Sequence, residues 1–240
     1  MDAKIGKHIE ALEGSPRVLY EDNHLLVVVK PHRVLVQSDS SGSPTLFLQI
    51  CQWLKNKYQK PGNVFLGLVH RLDRPASGLM VFAKTSKAAS RLSEQIRSRK
   101  MQKKYEVIAE AIPPEASGTL IHYLKSPENL GASLVFPDEE EGTKKAELSY
   151  EVLDQRAGES LIEINLKTGR RHQIRAQLAH LGYPVRGDGK YGAKAFFKEG
   201  SIALVATQLS FLHPTTQKPL SFWLPEELNS VRQFWKNGKP

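Results

Sequence analysis

Between residues 103 and 166 the chain offers five short β-prone runs (103–111, 119–124, 132–136, 146–153 and 161–166), and no helical pattern separates any two of them. Parallel strands need a long crossover, so strands in such close succession pair antiparallel. Helical spacing of apolar residues appears only outside this block, at 46–58, 87–99, 172–181 and 225–235. Strands that follow strands, with helices set apart, predict an α+β fold with a mixed, mostly antiparallel β-sheet and flanking helices.

Elsewhere the pattern is also specific. Residues 18–21 and Leu25–Lys30 read as a hairpin around Asp22-Asn23-His24. A helix follows, with Ser43 as N-cap, Pro44 at the first helical position, and Leu46, Phe47, Ile50, Cys51, Leu54 and Tyr58 at helical spacing. Residues 64–69 and 79–83 read as strands, and 87–99 as a helix with Ala88, Leu92 and Ile96 inward. In 103–111, Tyr105, Val107, Ala109 and Ala111 share one face, while Lys104, Glu106, Ile108 and Glu110 share the other. The helix at 172–181 turns Ile174, Leu178 and Leu181 to the core and ends at Gly182. Residues 202–213 and 220–224 form a closing hairpin around 214–218, and the acidic run 138–141 is a solvated turn. Residues 1–16 are polar and read as a leader, leaving 17–240 as one folded domain.

The chain has 240 residues, with 40% apolar and 25% charged, a composition that folds into a core. Its single cysteine, Cys51, excludes an internal disulfide framework and lies in an apolar run, so a buried inert thiol is expected. No apolar stretch approaches the roughly 20 residues of a membrane helix, and the first residues lack a signal-peptide core. A soluble, cytoplasmic protein is therefore expected. With 34 Lys and Arg against 25 Asp and Glu, the net charge is +9, which draws polyanions.

Three segments carry candidate chemistry. In His70-Arg71-Leu72-Asp73-Arg74-Pro75-Ala76-Ser77-Gly78 a strand ends in four ionisable side chains and a turn. Asp73 is the sole acid there, and the flanking arginines favour its carboxylate. Such a group can cap a turn, form an ion pair, bind a metal or attack carbon. The second segment is Thr168-Gly169-Arg170-Arg171-His172-Gln173-Ile174-Arg175. Arginines at a helix start oppose its dipole unless an anion binds there, and Arg171 and Arg175, four apart, are expected on one helical face. The third is Lys103-Lys104-Tyr105, where an aromatic flanked by cations can stack on a base while the lysines hold phosphates. His172 and His180 lack a carboxylate at ligand spacing, and there is no Walker loop or GxGxxG, so neither metal nor cofactor is expected.

These segments together resemble the RluA-type pseudouridine synthases. The signature is Gly67-Leu68-Val69 followed by residues 70–79; Leu25 to Pro31, Lys103-Lys104-Tyr105, Thr168 to Arg175 with Gly187-Asp188 and Tyr191-Gly192, and Phe211-Leu212-His213-Pro214 resemble further motifs, in order. The resemblance implies the pseudouridine synthase fold with a central cleft and no cofactor. It implies an isomerase acting on uridines of rRNA or tRNA, Asp73 being the nucleophile. Tyr105 would pack on the target base and act as a general base, and Arg175 would pair with Asp73. Arg71 would fill the gap left by the flipped base. His70, Arg74, Arg170, Arg171 and His172 would contact an RNA stem-loop, and the chain would act as a monomer. Relatives often carry an N-terminal S4 module, and too few residues precede the first motif here for one. The sequence departs from the family in three places: Lys30-Pro31-His32-Arg33 lacks the usual glycine, and Ala76 and Arg171 stand where threonine is usual. The rival readings are an RNA-binding protein without catalysis and a metal-dependent hydrolase using Asp73 and the histidines.

Overall fold

The computed structural model describes residues 17–38 and 44–237. The expected leader and the expected N-cap Ser43 lie outside them. Among the described residues there are eleven strands and four α-helices, and every strand pair detailed below is antiparallel. The chain forms two compact units, Met1–Met101 with Gln208–Leu224, and Gln102–Thr207 with Pro225–Pro240. No helix among the described residues is long and apolar enough to cross a membrane.

In the first unit, β1 (Arg17–Glu21) and β2 (Leu25–Lys30) form the expected hairpin. Its turn is set by Asp22, whose Oδ1 accepts the N–H groups of His24 and Leu25 at 2.7 Å each. Helix α1 (Leu46–Lys57) starts two residues later than expected. Thr45 is its N-cap, because the Thr45 hydroxyl accepts the Leu48 N–H, and Pro44 precedes the cap. Cys51 is half-buried rather than buried, and burial pushes its thiol pKa above the usual value. Strand β3 is only Gly67–Leu68, not the whole of 64–69. Its ladder to β4 (Ser77–Ala83) stops because the His70 ring, instead of backbone, takes the Val81 N–H at 3.0 Å. Gly67 allows β3 to lie close to α2, since a Cβ there would sit 2.7 Å from that of Ala89. Strand β4 is buried along its whole length and pairs with β2 from Leu25 opposite Ala83 to Lys30 opposite Gly78.

Helix α2 (Ser86–Arg97) is capped by Thr85 and stops before Arg99, which adopts a left-handed φ of 57°. Gln95, not Ile96, completes its buried face, because its amide bonds both the N–H and the carbonyl of Leu212.

The second unit opens with β5 (Gln102–Ala109), followed by β6 (Ser117–Lys125), β7 (Leu134–Phe136), β8 (Lys144–Arg156) and β9 (Glu159–Leu166) in the sheet order β5-β9-β8-β6-β7. The acidic run 138–141 is exposed, as expected. Strand β5 is buried on both of its faces. Glu106 on its second face is buried because Asn229 and Arg232, from the C-terminal segment, bond its carboxylate. Helix α3 (Gln173–His180) packs Ala176 against Leu124 and Ala146, while Leu181 is exposed.

Strand β10 (Leu204–Leu212) runs from this unit into the first, where it pairs with β11 (Pro219–Trp223) as the expected hairpin. His213 anchors that turn, with Nε2 donating to Asp22 at 2.8 Å and Nδ1 accepting the Thr215 and Thr216 N–H groups. The expected final helix is broken at Asn229 into a short 3-10 turn (Glu226–Leu228) and α4 (Ser230–Asn237).

Candidate active site

In the first unit, Asp73 lies on the loop between β3 and β4. Leu72 and Ala76 point into the core, Arg71 and Arg74 are exposed, and Asp73 is half-buried. The turn closes when the Ala76 N–H donates to the Asp73 carbonyl at 3.1 Å.

Beneath the loop lies Lys30, fully buried at the end of β2. Its Nζ donates to the carbonyl oxygens of Pro31 (2.9 Å), Arg74 (3.2 Å) and Ala76 (2.6 Å). Burial pulls its pKa down to about 7, with the Asp73 charge pulling the other way. The backbone after Lys30 holds the loop too. Arg33 N–H donates to the Arg74 carbonyl (2.9 Å), Arg74 Nε to the Arg33 carbonyl (3.3 Å), and His32 Nδ1 to the Pro75 carbonyl (2.9 Å). Arg33 has φ of 67°, a conformation costing a non-glycine residue about 1–2 kcal/mol. The missing glycine is thus tolerated by strain, offset by this bonding to Arg74. Gly78, with φ of 115°, supplies the bend that lets β4 leave the loop.

His70 accepts the Val81 N–H through Nε2, so in this arrangement the ring carries its proton on Nδ1 and holds the start of the loop.

In the second unit, Tyr105 is buried on β5 opposite Ile164, and Lys104 pairs with Glu163 at 2.6 Å. The loop before α3 is shaped by Thr168 and Gln173. The Thr168 hydroxyl donates to Gln173 Oε1 (2.7 Å), which also accepts the Arg170 N–H (3.0 Å). Arg170 is half-buried, with Nε donating to the Lys145 carbonyl at 2.9 Å, and Arg171 is exposed. Because α3 begins at Gln173, Arg171 precedes the helix and does not share a helical face with Arg175, contrary to the spacing argument.

Arg175 is buried and bound bidentately by Asp188, Nε to Oδ2 at 2.6 Å and Nη2 to Oδ1 at 2.8 Å. Its guanidinium also sits 5.1 Å from the Tyr191 ring centre. The Tyr191 hydroxyl accepts the Ser133 N–H (2.7 Å) and lies 2.9 Å from His172 Nδ1. Burial pushes that hydroxyl pKa up, with the Ser133 bond acting against it. Tyr191 thus shares a hydrogen bond with His172, the residue with φ of 53° where α3 begins. Ser133 completes the brace, its hydroxyl donating to the Arg171 carbonyl at 2.6 Å.

The sequence reading missed Lys30, Asp188 and Tyr191. The last two stand in the motif Gly187-Asp188 and Tyr191-Gly192, and Lys30 is a cation at the end of an apolar run. Among the described residues no three His, Cys, Asp or Glu side chains converge as metal ligands.

Comparison with known proteins places this architecture. Residues 24–180 match the family described as RNA pseudouridylate synthase. The chain is 31% identical over 227 residues to "Ribosomal large subunit pseudouridine synthase C" of Buchnera aphidicola subsp. Schizaphis graminum, covering 89% of this chain and 70% of that protein. It is 34% identical over 236 residues to an "Uncharacterized RNA pseudouridine synthase" of Chlorobaculum parvum, covering 89% and 72%. The solved structure of "Human RNA Pseudouridylate Synthase Domain Containing 4" shares the fold, with a TM-score of 0.72 at 23% identity over 91% of this chain and 92% of that one. These are the folds and sequences of enzymes that isomerise a nucleoside within RNA. The chain belongs to the RNA pseudouridylate synthase family and is an isomerase that converts uridine in RNA to pseudouridine.

Proposed function

We propose that this enzyme modifies uridines of ribosomal RNA with Asp73 as its nucleophile. The observation that carries the reading is the Asp73 loop, where a half-buried carboxylate between two exposed arginines rides on backbone pinned by a buried lysine. The relatives named as large-subunit enzymes favour ribosomal over transfer RNA. Isomerisation breaks the N1–C1′ bond, turns the uracil and joins C5 to C1′, with loss of the C5 proton and gain of a proton at N1. A carboxylate is a competent covalent nucleophile for this, at C1′ or at C6. The base must first leave its stack, which costs a few kcal/mol. Phosphate contacts from Arg74, Arg170 and Arg171 offset that cost, and Arg71 occupies the vacated space. Tyr105 packs on the base and takes the proton. Arg175 supplies counter-charge to the nucleophile. His70, which holds the Val81 N–H, and His172, bonded to the Tyr191 hydroxyl, position the segments that contact the RNA.

Residues 17–240 act as one catalytic domain, as a monomer in the cytoplasm, on a stem-loop read by shape and by its unpaired bases. The test is to map pseudouridines in RNA from a strain lacking the gene. Loss of specific sites in large-subunit rRNA, restored by wild type and not by Asp73→Asn, is the expected result. Loss confined to tRNA overturns the substrate assignment. Restoration by Asp73→Asn favours RNA binding without catalysis.

A further inference from the structure

Lys103 differs from its neighbour Lys104 in a way the sequence does not disclose. Lys104 reaches an acid, Glu163. Lys103 is only 8% exposed and, among the described residues, its ammonium has neither an ion pair nor a hydrogen-bond partner. That ammonium lies against the loop before α3, since a Cβ added at Gly169 would sit 3.3 Å from Nζ. Burial pushes its pKa below the usual lysine range, and no acid opposes the shift. A desolvated cation without a counter-ion is costly, so an anion that arrives with a ligand gains more here than at the exposed lysines.

We propose that Lys103 and the Gly169 backbone beside it form a phosphate site for the RNA strand that carries the target uridine. Two features identify the anion. Lys103 and Tyr105 are two residues apart on one strand, so their side chains leave the same face about 7 Å apart along it. That matches the span from a base to a neighbouring phosphate when the base lies on Tyr105. Lysine also suits a phosphate as a compact point charge, whereas paired recognition of a flat group would call for arginine. Gly169 keeps the approach open, because any side chain there would crowd the ammonium. The inference rests on the RNA-isomerase reading and extends it to one named contact.

The test is RNA binding by Lys103→Met across a salt series, with Lys236→Met, an exposed lysine paired with Glu226, alongside. For Lys103→Met, affinity at moderate salt falls about tenfold. The slope of log affinity against log salt drops by about 0.7, the value for one phosphate on a single strand. The melting temperature of the free protein rises, because an uncompensated charge has left the interior. Lys236→Met leaves affinity and slope within about twofold of wild type, as expected for an exposed pair. If Lys103→Met fails to fold, Lys103→Gln keeps a polar tip without charge and must show the same loss of slope. Unchanged affinity and slope in a folded Lys103 variant overturn the proposal. The readout is binding alone, so a failure of isomerisation by the wild-type enzyme would strike the functional reading and leave this one separately decided.

Discussion

Asp73 and Arg175 are presented by opposite means. The Asp73 loop is fixed through its backbone, whose carbonyl oxygens at Arg74 and Ala76 converge with that of Pro31 on one buried ammonium, Lys30. Arg175 is fixed through its own side chain, bidentate to Asp188 and stacked near Tyr191. The difference follows from what each group is proposed to do. A carboxylate that must bond to carbon is best held by the chain on either side of it. A guanidinium that gives only charge and hydrogen bonds can be locked by neighbouring side chains. The first arrangement puts stability into hydrogen bonds between a cation and neutral carbonyls, and the second puts it into a buried ion pair.

That contrast can be broken most forcefully at Asp188. Asp188→Asn takes the charge of the bidentate Asp188 carboxylate from a buried guanidinium, and breaking such a buried pair costs about 3–5 kcal/mol. Denaturant unfolding should show this. A change below about 1 kcal/mol would mean that the side-chain lock is not what holds Arg175.

The next effect is at Lys30. Lys30→Met deprives three carbonyls of their donor, a loss of about 1–3 kcal/mol on the scale for buried unsatisfied groups. The same residue gives a pH signature. Its folded pKa of about 7 lies below the unfolded lysine value of 10.5. Between those values the unfolded chain binds the extra proton, so this lysine makes stability rise with pH from about 7 toward 10.5. Unfolding followed across that range should rise more steeply for wild type than for Lys30→Met. Parallel curves would remove the charge from the account.

The smallest effect belongs to Lys104→Ala, which breaks the partly exposed pair with Glu163. Such pairs are worth about 0–1 kcal/mol. A larger loss in the same unfolding assay would mean that β5 depends on this partly exposed pair as much as on its buried side chains.

Much of the architecture is legible in the sequence. The hairpin from Arg17 to Lys30 and the strand succession from β5 to β9 follow from period-two patterning and short connections, and both occur. The misplacements have local physical causes. A histidine ring ends the β3 ladder, a threonine caps α1, and a glutamate bound by Asn229 and Arg232 buries the second face of β5. The Asp73 segment stands out because ionisable residues crowd a turn. The burial of Lys30, Lys103 and Asp188 does not, because the burial of a charge depends on chain brought close from elsewhere. Lys30 reads as the end of a strand until the loop 44 to 46 residues later is folded over it.

The central claim is that Asp73 does the chemistry while Lys30 and its carbonyls hold the loop. Single-turnover conversion of uridine in a bound RNA by Asp73→Asn tests it most directly, with RNA affinity and melting temperature measured on the same protein. The account predicts that isomerisation falls at least about a thousandfold, as when an enzyme loses its nucleophile, while affinity and stability remain close to wild type. Conversion within about tenfold of wild type by a folded, RNA-binding Asp73→Asn protein would contradict it.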